Sequence, residues 1–214
     1  MGINFAPGLG RRSTRLKNWD YSQPGGYYIT LVTFQREHLF GKIVKNEMQL
    51  NESGGIVRDV WRQLPIRYPN VVMDEMIVMP NHCHGILFIL DDLSASSLGA
   101  VYPGHPVGAI HELPLPDAPP PDGIHVSPAP YNESSDEYRL RRRRMLIPKM
   151  VGYFKMNTAK TINLLLNSSG VPVWQRNYYE HIIRDAAEYT RIARYIIKNP
   201  VQWETDEENC PYED

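Results

Sequence analysis

Two histidines one residue apart, His82 and His84, and one tyrosine late in the chain, Tyr195, are the side chains best suited to phosphoryl chemistry. The histidines lie in the run Met79-Pro80-Asn81-His82-Cys83-His84-Gly85-Ile86-Leu87-Phe88-Ile89, which reads as a turn followed by a strand. Side chains alternate along a strand, so both imidazoles fall on one face, one pleat apart, with Cys83 on the other. In that arrangement two imidazoles can share one divalent ion. A histidine-triad hydrolase would need a third alternating histidine, and position 86 is isoleucine. A four-cysteine zinc site or a disulfide framework needs more than Cys83 and Cys210, which are expected to be free thiols. The pair alone suits two partly buried structural histidines on a strand better than a metal site, and the residues leave that open.

Tyr195 lies in Glu188-Tyr-Thr-Arg-Ile-Ala-Arg-Tyr-Ile-Ile-Lys-Asn-Pro200, a helical pattern stopped before Asn199-Pro200. Helical spacing puts Arg191, Tyr195 and Asn199 on one face, beside an apolar stripe of Ile192 and Ile196. A phenol of ordinary pKa near 10 is a poor nucleophile. An arginine such as Arg191, or a metal, would favour its phenolate. The side-chain oxygen of Asn199 could serve as a further ligand. Tyr189 is the second candidate nucleophile, off the Tyr195–Asn199 face. A tyrosine packed at the edge of the core is the bland alternative for either.

Charge has to be read by segment, and by itself it suits two solvated charged faces as well as a phosphate-binding surface. The formal net charge is −1. Residues 1–70 hold ten basic and five acidic groups; residues 71–138 hold no Lys or Arg and ten acidic groups. Residues 139–200 hold thirteen basic and three acidic groups, and residues 201–214 hold six acidic and none basic. Phosphate binding depends on local Lys and Arg, so two basic segments leave a nucleic-acid partner open where the total would argue against it. No apolar run approaches the ~20 residues of a membrane helix, and no signal-peptide pattern opens the chain, so a cytoplasmic protein with no membrane partner is expected.

The elements that must position these residues can be outlined. Residues 1–20 read as a basic arm with Arg11, Arg12 and Arg15. Residues Tyr28 to Phe34 read as a strand, and residues 42–50 as an edge hairpin. A helix capped by Asn51 or Ser53 is expected to run to about Leu64, its end marked by Pro65 and Pro69. Glu75 to Met79 and His82 to Leu90 form two strands joined at Pro80-Asn81. Residues 92–138 hold nine of the eighteen prolines and no amphipathic period; they read as a Pro-rich acidic insertion, with His105, His111 and His125 incidental. Arg139 and Arg141 to Arg144 lead into a helix from Ile147 to Leu166 with Lys149, Lys155 and Lys160 outward. Val173 to Ile183 reads as a strand, Arg184 to Lys198 as the last helix, and residues 209–214 as an acidic tail. The order predicts an α+β fold: a four-stranded antiparallel sheet of ferredoxin-like or RRM-like form, with helices packed on one face.

Taken together, "MPNHCHGILFI", the basic helix, "VPVWQRNYYEHIIRD" and "YTRIARYIIKNPVQW" resemble the REP-associated branch of the single-tyrosine HUH transposases, as does the early stretch "RRSTRLKNWDYSQPGGYYITLVTFQREHLFG". The resemblance covers about residues 11–91 and 139–208 and treats 21–91 with 139–208 as one domain. It implies an RRM-like fold, Mg²⁺ or Mn²⁺ held by His82 and His84, and Tyr195 as nucleophile. Asn199 stands where relatives carry a polar third ligand, often Gln. It further implies a bacterial, nucleoid-associated enzyme acting as monomer or homodimer on single-stranded or hairpin DNA. Backbone contacts are expected from Arg11, Arg12, Arg15, Arg141, Arg142, Arg143, Arg144, Lys149, Lys155, Arg176 and Arg191. Base or site contacts are expected from Trp174, Tyr178, Tyr179 and His181, with strand packing an equal alternative for the two tyrosines and a structural role an equal alternative for His181. Two other classes fit the residues: an RRM-like binding module or domesticated relative that no longer cuts, and a hydrolase using Asp74 and Glu75 to activate water.

Overall fold

Strand β1, Gly25–Val32, is rich in aromatic and β-branched side chains and is buried along nearly its whole length. The structure is a computed structural model and describes residues 19–90 and 144–209. Strands β2 (Gly41–Val44) and β3 (Glu47–Leu50) form a separate hairpin, closed by Lys45 and Asn46 with positive φ. Two successive left-handed residues match the right-handed twist of the flanking strands. Helix α1, Glu52–Arg67, starts at Asn51, whose side chain accepts from Gly54 N at 2.9 Å. Strands β4 (Val71–Val78) and β5 (His82–Ile89) follow, then helix α2 (Leu146–Leu165), strand β6 (Tyr179–Ile183) and helix α3 (Ala186–Lys198). Asp185 caps α3 by accepting from Glu188 N at 2.7 Å.

The four long strands are ordered β4-β5-β1-β6, every neighbour pair antiparallel. With α1 crossing from β1 to β4 and α2 from β5 to β6, this is the ferredoxin-like arrangement, and the fold is α+β as the element order predicts. The histidine strand is therefore central. Its register places Thr30 opposite His84 and Val32 opposite His82.

One expectation about the layers is corrected. Helices α1 and α2 cover one face of the sheet, where Tyr27, Ile29, Leu31, Trp61, Cys83, Leu87, Met150 and Phe154 form the main core. Helix α3 covers the opposite face, packing Ile192 and Ile196 on Tyr28 and Ile86. The central strands are thus buried on both sides, which explains why β1 and β5 read as nearly continuous apolar runs. Gly85 in β5 is required by close approach: a Cβ there would stand inside van der Waals contact of the Trp61 indole.

Several boundaries also move. β1 starts at Gly25 and ends before Thr33, and β4 begins at Val71. α1 continues past Leu64 to Arg67 through Pro65, with Tyr68 N closing the last turn on Leu64 O. Of residues 173–183, only Tyr179–Ile183 pair as a strand; Trp174 makes a single bridge to Thr33. The intervening carbonyls of Gln175 and Asn177 instead accept from Lys155 Nζ, both at 2.8 Å. At the end of the expected arm, Trp19 and Tyr21 pack against the main core. The arm residues Arg11, Arg12 and Arg15, the insertion 92–138, and Arg141, Arg142 and Arg143 lie outside the described residues.

Candidate active site

Alternation along β5 puts His82 and His84 on the α3 side of the sheet, with ring centroids 4.5 Å apart. Both are buried. His82 Nδ1 is 2.9 Å from Asn81 Oδ1, leaving its Nε2 toward the site. His84 Nδ1 lies 2.8 Å from both the Tyr28 and the Thr30 hydroxyls, so its Nε2 also faces the site. Burial holds the His82 pKa down to about 4, against a partial upward pull from Asp206 and Asn199. Burial, reinforced by His82, holds His84 well below the ordinary range. At neutral pH both rings are uncharged and able to ligate a cation.

Helix α3 brings Tyr195 over this pair. Its hydroxyl is 3.5 Å from His84 Nε2, and the residue is 40 % exposed, so a substrate can reach it. One turn further, Asn199 is fully buried, with Oδ1 at 3.3 Å from His82 Nε2. Pro200 ends α3, and a 3-10 segment, Asn199–Thr205, folds the chain back. That return delivers Asp206, whose Oδ2 accepts from Asn199 Nδ2 at 2.7 Å and lies 3.5 Å from the Tyr195 hydroxyl. His82, His84 and Asp206 place one ligand atom each within 4.8 Å of one another, and among the described residues this is the group able to share an ion.

The hydrogen-bond geometry fits a cation. Asn199 spends its amide N–H on Asp206, so the atom facing His82 is its carbonyl oxygen. With the His82 proton on Nδ1, Nε2 presents a lone pair to that oxygen. Two acceptors 3.3 Å apart, flanked by a carboxylate, are satisfied by a positive charge between them. The hydroxyls on His84 Nδ1 and the amide on His82 Nδ1 are the partners that orient imidazole ligands in such sites.

The phenol's surroundings differ from those expected. Burial, with Asp206, Glu208 and Glu207, pushes the Tyr195 pKa well up. Arg191 does not offset this: its guanidinium is tied to Glu188 at 3.2 Å and is largely exposed. A phenolate there would need positive charge that these neighbours do not supply.

The remaining candidates are distributed as follows. Tyr189 packs on Phe88, with its hydroxyl held by Asp74 and its pKa pushed well up by burial. His181 Nε2 meets Glu188 Oε1 at 2.9 Å, on the same sheet face as Tyr28. Trp174 is only 8 % exposed and donates its indole N–H to Thr158 at 2.8 Å, so its ring is a core element and offers no face for base stacking. Lys155, expected outward, is turned onto backbone carbonyls and lies 5.5 Å from the Tyr178 ring centre. Arg144, Lys149 and Arg176 are exposed. Asp206 is one of six acidic residues in 201–214, whose pattern does not say which carboxylate folds back, and Tyr28 and Thr30 become visible only through the β1–β5 register.

No family model matches the chain. An uncharacterized protein of Haemophilus influenzae is 35% identical over 197 residues, which span 92% of this chain and 92% of that protein. Among solved structures the chain is similar to a REP-associated tyrosine transposase bound to a REP hairpin, with TM-score 0.43 and 16% identity over 90% of this chain and 74% of that one. It is also similar to a candidate transposase from Deinococcus radiodurans R1, with TM-score 0.40 and 13% identity over 92% of this chain and 98% of that one. At such distances the chemistry has to come from the chain's own residues.

Proposed function

The chain belongs to the same protein family as its Haemophilus influenzae relative, and we propose that it is an HUH-type tyrosine transposase that cuts and rejoins single-stranded or hairpin DNA with Mg²⁺ or Mn²⁺. The observation that carries this is the meeting of Tyr195 with an ion-binding group: a half-exposed phenol 3.5 Å from His84 Nε2, beside His82, Asn199 and Asp206. The sequence resemblance to REP-associated transposases supports the same assignment and supplies the substrate class.

His82 Nε2, His84 Nε2 and Asp206 would hold the ion, with Asn199 Oδ1 alongside. When bound, a divalent cation there supplies the charge that polarises a nonbridging phosphate oxygen and favours the phenolate. Tyr195 Oη then attacks the scissile phosphorus, forming a P–O bond to the ring and breaking the bond to the 3′ oxygen. The phenol proton passes to solvent, and the departing oxygen takes up a proton to become a 3′-OH. The phosphodiester energy is kept in the 5′-phosphotyrosine link, so an incoming 3′-OH can reverse the step without an external energy source. Exposed Lys149, Arg176 and Arg144, with the arginines outside the described residues, are assigned to the DNA backbone.

Incubation with labelled hairpin DNA from the gene's flanks, in Mn²⁺ or EDTA, tests this on a denaturing gel. A metal-dependent protein–DNA adduct that disappears in Tyr195→Phe is expected. Cleavage without an adduct would replace the assignment with water-based hydrolysis, and binding without cleavage would favour a non-catalytic module.

A further inference from the structure

Asn81 stands just before β5, almost wholly buried, with both ends of its amide engaged. Its Nδ2 donates to Arg36 O at 3.2 Å and to Glu208 O at 2.7 Å. Two carbonyl partners settle which end is nitrogen, so Oδ1 is the end that meets His82 Nδ1, and there it can only accept. The His82 proton is thereby placed on Nδ1 and the Nε2 lone pair is left for the site.

The same amide reaches the chain's return. Glu208, whose carbonyl Asn81 holds, donates its own N–H to Asp206 Oδ1 at 2.7 Å and so sets the carboxylate. Arg36 grips that turn from the other side: its Nη1 donates to Glu207 O at 2.6 Å and pairs with Glu208 Oε2 at 3.2 Å. Arg36 does this from a left-handed backbone, φ 58, following Gln35 at φ 52. Side-chain-bearing residues adopt that conformation rarely, and surrounding contacts must hold it. Here it lets one residue present its carbonyl to Asn81 and its guanidinium to the turn.

We propose that Asn81 and Arg36 are positioning residues of the ion site: Asn81 sets the tautomer of His82 and, with Arg36, pins the 207–209 turn that presents Asp206. A single amide thus prepares two ligands that lie far apart in sequence. The inference rests on the ion assignment made above.

The test uses the full chain with three substitutions: Asn81→Ala, Asn81→Asp and Arg36→Ala. Ring ¹⁵N spectra of the metal-free protein read the tautomer, amide exchange reads the turn, and calorimetric titration with Mn²⁺ reads affinity. Asn81→Ala is expected to give His82 a mixture of tautomers and to weaken Mn²⁺ about 10- to 100-fold. Asn81→Asp keeps an acceptor for His82 but sets oxygens against two carbonyls; it should keep the Nδ1–H tautomer while residues 207–209 lose exchange protection. Arg36→Ala should leave the tautomer unchanged, lower protection of the turn and weaken Mn²⁺. If wild type binds Mn²⁺ and Asn81→Ala matches it in tautomer and affinity, the positioning role is wrong. If wild type takes up no Mn²⁺, the ion assignment falls and this inference falls with it. Should Asn81→Ala fail to fold, Arg36→Ala decides: unchanged turn protection and affinity would overturn the proposal.

Discussion

At the scale of single residues, the candidate site is built from groups whose ionisation is suppressed by burial and by neighbouring carboxylates. His82 and His84 are buried without charge, and Tyr195 faces carboxylates that oppose its ionisation. This has a consequence for acid stability. His82 has a folded pKa near 4 against an ordinary value of 6.5, so between those values the unfolded chain binds more protons. Stability contributed by the neutral ring is present above about pH 6.5 and is lost as pH falls toward 4. In EDTA the melting temperature should drop across that window, and His82→Gln, though less stable at neutral pH, should drop less. An equal decline in both proteins would show that other groups dominate. Among tyrosines, Tyr195→Phe should remove the covalent adduct outright while Tyr189→Phe retains it; loss of the adduct only in Tyr189→Phe would exchange their roles.

At the scale of elements, β5 serves two faces, and its helix-side residues are fixed as tightly as its histidines. Gly85 abuts Trp61 of α1. Gly85→Ala should cost about 1–3 kcal/mol through overpacking, and trimming the indole in Trp61→Phe should relieve part of it. Thermal denaturation of the two single variants and the double variant measures this; strictly additive losses would mean that the contact is not the cause. The element pattern was largely legible in the sequence because β-branched and aromatic runs mark the central strands and period-four apolar spacing marks the helices. The side on which α3 packs was not, since a sheet buried on both faces carries no alternation to tell one face from the other. For the same reason the histidines, Tyr195 and Asn199 could be singled out by type and spacing, whereas Asp206, Asn81 and Arg36 could not. Their positions depend on how the chain turns back after Pro200 and on two left-handed residues after β1, and neither leaves a local pattern.

At the scale of the whole molecule, a net charge of −1 conceals basic and acidic segments with different tasks. The acidic residues at 206–208 lie at the proposed ion site or beside it, where they favour a cation and would repel bare phosphate. DNA affinity should therefore depend on cations that screen or replace this charge and on exposed lysines and arginines elsewhere. Binding of single-stranded DNA should weaken steeply with salt, and Lys149→Ala or Arg176→Ala should each flatten the log–log slope by about 0.7 if it meets one phosphate. Fluorescence anisotropy over a salt series measures the slope; an unchanged slope removes that residue from the interface.

The tight turn between β4 and β5 has a consequence at the level of the gene. β5 is clamped by hydrogen bonds to β4 on one side and β1 on the other, so its phase is set by the few residues of Met79-Pro80-Asn81. Because side chains alternate, a one-codon insertion or deletion there that carried the strand along would turn every residue over: Cys83 would face the tyrosine and both histidines would point into the core. One codon at this corner would thus replace the paired imidazoles beside Tyr195 with a thiol. Across descendants of this gene, length changes at this corner should be purged.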